Sequence, residues 1–293
     1  MKKEIRKTEN GLLQVTTVDE RWYVRERFDQ TTGLPSGHDF VPSVTWIAGH
    51  YPKGIGFYKW LAQKGWDEAE AIKNAAGDKG SKVHLALVDL IDGQAVLMDA
   101  QYPNPTTGQS EELTLEEYGC LLAFRDWWAV AKPTPLTRER TLWHDAHGYA
   151  GTMDFLAQLA EPAGVWLLDF KTSQDVWPEH ELQVSAYKHA LLADPAMAET
   201  LGMVEAFGTL RLGVLQLGYR RNQRKWKLTE VEDRFDLFLA AQQIWARETE
   251  GVSPLQAEYP LEINLTDLPT VPVKIARPRG KGRPSVQETL PNG

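Results

Sequence analysis

The sequence predicts an α/β fold: a mixed sheet containing an antiparallel three-strand meander, flanked by helices, with an N-terminal β-hairpin and a helical insertion. Three observations predict it. Residues 136–171 carry three strand patterns in succession, PLTRERTLWH, GYAGTMDFLAQLA and VWLLDFK, separated only by DAHG and EPAG. Stretches on either side, Glu116 to Ala131 and Pro178 to Asp194, repeat apolar residues at helical spacing. Residues 12–28 place Leu13, Val15, Trp22, Val24 and Phe28 among polar neighbours around a tight turn at Asp19-Glu20, which reads as a hairpin.

After the hairpin, the loop TTGLPSGHDFVPS leads to Ser43, an N-cap for VTWIAGHY, and Phe57, Trp60 and Leu61 lie at helical spacing. Residues 67–91 read as two helices broken near Gly77-Asp78-Lys79-Gly80, the second burying Val83, Leu87 and Leu90 beside His84. A polar loop, YPNPTTGQSEEL, precedes the helix that carries Leu121, Leu122, Phe124, Trp127 and Trp128, and Lys132-Pro133 ends it. Beyond the meander, Pro178 opens a helix that buries Leu182, Ala186, Tyr187, Ala190 and Leu191. Strands near 207–219 and 225–231 flank the turn RRNQRK, and a last helix carries Phe235, Phe238, Leu239 and Trp245. These elements make one domain over residues 1–251. The Pro-rich remainder, 252–293, reads as a poorly ordered tail: residues 274–293 hold five Lys/Arg against one acidic residue.

Composition excludes several classes of function. The net charge of −8 argues against nonspecific coating of duplex DNA, which needs concentrated Lys/Arg, but leaves room for a local basic groove. No run approaches the ~20 apolar residues of a membrane span, and no apolar signal core follows the charged N-terminus, so a cytoplasmic protein without membrane contact is expected. Cys120 is the only cysteine, which rules out an intramolecular disulfide and a four-thiolate iron–sulfur cluster. Any metal must bind through His and carboxylate. No Gly-x-x-x-x-Gly-Lys-Ser/Thr run occurs, so a nucleotide cofactor and ATP-driven unwinding are not expected.

The meander gathers the polar residues. With DAHG centred between Ala146 and His147, Glu139 lies opposite Asp154; with EPAG centred between Pro162 and Ala163, Asp154 lies opposite Lys171. Asp169 and Lys171, two apart, share a face in an otherwise apolar strand. Burying them there is costly unless a cation or a partner offsets the charge. From the strand alone, a structural ion pair explains them equally well. On the next helix Gln183 and Tyr187 stand at i and i+4, with Glu179 one turn earlier.

Taken together, Gly151-Thr-Met-Asp154, Asp169-Phe-Lys171-Thr172-Ser173, Gln183-Val-Ser-Ala-Tyr187 and, upstream, Gly80-Ser-Lys-Val-His84 resemble the PD-(D/E)XK nuclease superfamily, in particular its RecB-like exonuclease branch. The Pro42-Ser43-Val44-Thr45 opening, followed by Lys/Trp helices, is similar to phage-type and mitochondrial genome-maintenance single-strand exonucleases. The resemblance covers residues 42–230. It implies a restriction-endonuclease-like core and a metal-dependent DNA exonuclease working in recombination, repair or phage DNA processing, with a single-strand annealing or recombination protein as a possible partner. It implies that His84, Asp154, Asp169 and the Phe170 carbonyl bind Mg²⁺ or Mn²⁺, that Lys171 orients the attacking water, that Glu139 positions metal water or a second cation, and that Gln183 and Tyr187 hold the scissile phosphate region.

Two basic segments are candidate contacts to single-stranded DNA. Lys53, Lys59, Trp60 and Lys64, with Trp46 and Trp66, combine cations with stacking rings. Arg220, Arg221, Arg224, Lys225 and Lys227 surround Trp226. Aromatic packing with a solvated cationic face accounts for the same residues without DNA. Three other readings remain: an endonuclease on the same core, a DNA-binding recombination module without turnover, and a metal hydrolase using His144, Asp145 and His147.

Overall fold

The computed structural model describes residues 4–17, 20–28, 31, 35–197, 200, 202, 209–250, 252 and 254. The turn expected at Asp19-Glu20 lies partly outside them, as does the tail expected over 252–293 apart from Val252 and Pro254. No helix among the described residues is long and apolar enough to cross a membrane.

The protein is α/β. Its main sheet has five strands: β7 (Thr134–His144), β8 (Tyr149–Leu159), β9 (Gly164–Lys171), β10 (Leu210–Leu217) and β11 (Trp226–Val231), in the order β11-β10-β9-β8-β7. β7, β8 and β9 form the antiparallel meander, β10 joins β9 in parallel and β11 closes the edge antiparallel. The parallel step needs a crossover, and α5 (Pro178–Ala193) supplies it, with Pro178 at its N-terminus where the missing N–H costs nothing.

Alternation along β9 divides the core. Val165 and Leu167 pack with α1 (Val44–Ala48), α5 and α6 (Phe235–Glu248), whereas Trp166, Leu168 and Phe170 pack with α3 (Trp66–Ile91) and α4 (Leu115–Ala131). β9 is thus apolar on both faces because it is covered on both. α4 is held by a capping box between Thr114 and Glu117 and stops at Lys132, whose φ is +46°.

The expected break near Gly77–Gly80 does not occur: α3 runs unbroken from Trp66 to Ile91. Each glycine costs a helix about 1 kcal/mol against alanine. Contacts along the stretch offset that cost: Asp78 accepts from Thr106, Lys79 pairs with Glu116 at 2.7 Å, and Val83, Ala86 and Leu87 are buried. The N-terminal hairpin is part of a four-stranded sheet, β1 (Glu4–Lys7), β2 (Leu13–Thr16), β3 (Arg21–Phe28) and β4 (Pro35–Pro42), the last formed by residues read as loop. Pairing with β3 overrides the Gly and Pro content of β4. The polar loop after α3 likewise holds a short hairpin, β5 (Gln101–Pro103) with β6 (Ser110–Glu112), tied by Asn104. α2 (Ile55–Lys64) buries no residue.

Candidate metal centre

The register of the meander decides which carboxylates meet. β7 and β8 pair as expected, with Arg138 opposite Phe155 and Arg140 opposite Met153, which leaves Glu139 level with Asp154. β8 and β9 depart from expectation by two residues. Gly164 already belongs to β9 and pairs with Leu159, and Phe155 pairs with Leu168, so Asp154 falls across from Asp169 and not from Lys171. The turn is Ala160–Ala163, one residue earlier than EPAG, because Gly164 adopts φ +135° and starts the strand. A two-residue shift preserves faces, so the polar residues still gather at one level.

Both strands are distorted at that level. Tyr149 and Met153 line the α5 side of the sheet, whereas Phe155, Ala157 and Leu159 line the α3 side, so the alternation of β8 slips at Asp154. Glu139 has φ +44°, in the left-handed region. Outside glycine that conformation costs about 1–3 kcal/mol and is kept where the surroundings enforce it.

Here His84, from α3, meets Glu139 and Asp154, with one potential ligand atom from each lying within 4.8 Å of the others. The His84 Nε2–H donates to the Phe170 carbonyl at 2.8 Å, and Nδ1 faces Asp154 Oδ1 at 3.6 Å. An imidazole that gives one ring N–H to a backbone carbonyl and turns its other nitrogen toward carboxylates has the arrangement of a metal ligand. Asp154 Oδ2 accepts from the Phe170 N–H at 2.6 Å, which fixes its orientation. The Phe170 oxygen, expected as a ligand, is engaged by His84. Asp169 is 2% exposed and forms a 2.5 Å ion pair with Lys171, so its carboxylate lies beside the three-residue cluster without belonging to it.

The electrostatics favour a cation. Burial and then the Asp154 charge push the Glu139 carboxyl up to about 7. Burial raises Asp169, with Asp154 adding to it and Lys171 opposing. Burial would lower Lys171, but Asp169 and Asp154 outweigh it and hold the ammonium charged. Two crowded carboxyls and an imidazole are a hard-cation donor set with one softer ligand, which suits Mg²⁺ and Mn²⁺. The residues present therefore fit a divalent ion held by His84, Glu139 and Asp154.

α5 forms the adjoining wall. Gln183 and Tyr187 are 8% and 5% exposed, and burial raises the Tyr187 hydroxyl well above its ordinary range. Tyr187 fits because residue 151 is glycine: a Cβ there would stand 2.6 Å from the Tyr187 ring and 2.9 Å from Val44. Sequence reasoning missed His180, one turn before Gln183, which feels the charges of Lys171, Asp169 and Lys53. Its signal was present, since His180, Gln183 and Tyr187 follow i, i+3, i+7.

The proposed DNA contacts divide. Lys53 meets Glu179 at the start of α5, and burial, then Lys73, lowers its pKa. Lys59 is exposed on α2, Trp60 is half-buried against Phe57, and Lys64 pairs with Glu68 at 2.7 Å. Trp46 packs edge-on to Trp22 and Trp245, so its ring serves packing, while Trp66 is 68% exposed. In the β10–β11 turn, Arg220 pairs with Glu116 and Arg221 makes a bidentate pair with Asp175. Arg224 lies over Trp226, and Lys225 takes φ +60° in the turn. This tip is less free than its composition suggests. His144 Nδ1 accepts from the His147 N–H, and both rings pack around Phe235, so these histidines build the β7–β8 turn.

No protein-family model matches the sequence, and no curated protein is significantly similar to it.

Proposed function

We propose that the chain is a metal-dependent deoxyribonuclease with a restriction-endonuclease-like core, hydrolysing phosphodiester bonds from the ends of single-stranded DNA. The observation that carries this reading is the meeting of His84, Glu139 and Asp154 immediately beside the Asp169–Lys171 pair. A cluster suited to a cation next to a half-buried lysine held charged is a combination that phosphoryl transfer uses. The chemistry a bound Mg²⁺ or Mn²⁺ supplies there is Lewis-acid polarisation of a phosphoryl oxygen and a more acidic water.

The chain's own residues do the rest. Lys171 Nζ orients the attacking water and stabilises the charge that develops on the phosphoryl oxygens. Asp169 keeps that ammonium protonated and in place. Gln183 and Tyr187 bound the side on which the substrate sits, and Lys53, Lys59 and Trp60 offer cations and a ring to an approaching strand. The single-strand preference rests on the exposed Lys59 and the half-buried Trp60 of α2 and on the resemblance.

Digestion of end-labelled linear and of circular single-stranded DNA in Mn²⁺ tests the proposal. Degradation of the linear strand alone, lost in Lys171→Ala, is the expected result. Cleavage of circles at a comparable rate would replace the exonuclease with an endonuclease on the same residues, and binding without cleavage would replace both with a DNA-binding module.

A further inference from the structure

Arg140 follows the strained Glu139 on β7, and the reaction described for the site gives it no task. The register of the sheet fixes its position. Arg140 pairs with Met153, and Asp154, the next residue of β8, falls level with Asp169, so Arg140 stands at the level of the Asp169–Lys171 pair with β8 between them. It also shares their face. Directly opposite residues of an antiparallel pair point the same way, and Met153, like Leu142 two residues along β7, packs in the core on the α5 side. Val165 and Leu167 pack in that same core, and Asp169 and Lys171 continue their alternation. The strands that carry Arg140 and Lys171 are thus about 10 Å apart.

The Arg140 guanidinium is poorly matched inside the protein. Its Nε is buried and has no hydrogen-bond partner among the described residues. Its one ion contact among them is Glu9 Oε1, 3.9 Å from Nη1, and that oxygen already accepts from the Thr141 N–H at 2.7 Å while Oε2 accepts from the Thr141 hydroxyl at 3.1 Å. The neighbouring cations differ, because Arg138 has Asp92 and Lys171 has Asp169. A buried donor left unpaired is costly, and the side chain, 23% exposed, remains within reach of a ligand that brings its own anion. A phosphate matches the fork of guanidinium donors.

We propose that Arg140 is a substrate-contacting residue whose guanidinium donates to the non-bridging oxygens of a DNA phosphate neighbouring the one at Lys171. The inference rests on the nuclease reading and names the group that this position recognises: a backbone phosphate, independent of base. Its competitor is a purely structural role, in which Arg140 offsets the crowded carboxyls of Glu139 and Asp154.

Salt dependence separates the roles, since each phosphate contact on a single strand adds about 0.7 to the slope of log affinity against log salt concentration. Affinity for a single-stranded oligonucleotide is measured in Ca²⁺ over a range of KCl for the wild type, Arg140→Gln and Arg140→Lys, with Mn²⁺ affinity by calorimetry and the metal-free Tm of each. The expected result is that Arg140→Gln weakens oligonucleotide binding about tenfold, as loss of a hydrogen bond to a charged group does, and lowers the slope by about 0.7. Arg140→Lys keeps the charge and therefore the slope, and Mn²⁺ affinity stays within about threefold of the wild type in both variants. An unchanged affinity or slope in the Gln variant, a slope that falls as far in Lys as in Gln, or a loss of folding or of Mn²⁺ affinity that accounts for the weaker binding overturns the inference while wild-type cleavage leaves the nuclease reading intact. A wild type that binds Mn²⁺ but neither binds nor cuts DNA overturns both.

Discussion

Between Phe155 and Leu159, β8 pairs residue for residue with β9, and both strands send apolar side chains into the cores on the two faces of the sheet. One residue further along, at Asp154, the alternation slips, Glu139 on the neighbouring strand takes a positive φ, and carboxyls replace methyl groups. The two stretches belong to the same meander and share its backbone scaffold. Their difference shows how the site is made: the regular stretch supplies the stability that lets the adjoining stretch hold crowded carboxyls and a strained residue. The sheet is rigid at one end so that it can be unfavourable at the other.

The comparison breaks most visibly at Trp166, which is 1% exposed in the regular stretch. Trp166→Ala is expected to destabilise the fold by about 3–5 kcal/mol, read by chemical denaturation, with little effect on the Mn²⁺ affinity of the protein that remains folded. An equal loss of metal affinity would mean that the two stretches are not separable.

Next in size is the pH dependence of the distorted stretch. Glu139 has its folded pKa raised from 4.5 to about 7, so the stability linked to this group is present below the unfolded pKa and is lost as pH rises through about 7. The loss reaches about 3 kcal/mol at most, at about 1.4 kcal/mol per pKa unit. Divalent metal reverses the trend, because it binds the deprotonated carboxyl. Thermal melts with and without Mn²⁺ should therefore show a larger metal-induced rise in Tm at pH 8 than at pH 6. A rise independent of pH would exclude Glu139 from the site.

A smaller effect is expected where the wall of the site meets the sheet. Gly151→Ala forces the Tyr187 ring and Val44 apart, at a cost of about 1–3 kcal/mol. Its distinguishing mark is that any activity falls more than the loss of stability explains. The smallest effect belongs to the surface: Lys64→Ala removes an exposed i, i+4 pair and should change stability by under about 0.5 kcal/mol, whatever it does to DNA affinity.

Much of this was legible in the sequence because period and turn chemistry decide it. The three meander strands, the β7–β8 register and the helix opened by Pro178 all follow from alternation and from residues with restricted backbones. What escaped was settled by tertiary contact. Gly77 and Gly80 read as a break, yet the pairing of Lys79 with Glu116 and the burial of Val83 and Leu87 carry α3 through them. β4 read as a loop because its Gly and Pro content hides that β3 offers it a partner. At the site, the residue types and their common level were legible, whereas the partner of Asp154 was not, since it turned on whether Gly164 closed the turn or opened the strand. His180 was missed although it shares a face of α5 with Gln183 and Tyr187, because a histidine in a first helical turn is also an ordinary cap, and here its Nδ1 does accept from the Trp177 N–H.

The central claim, that the distorted end of the meander is a divalent-metal site, is tested most directly by titrating Mn²⁺ into the wild type and into Asp154→Asn. The substitution keeps an oxygen for the Phe170 N–H and removes the charge. The account predicts saturable binding in the wild type, at least about tenfold weaker in the variant, with the metal-free variant as stable as the wild type or more so, since Glu139 loses its like-charged neighbour. Equal Mn²⁺ affinity in the two proteins would contradict it.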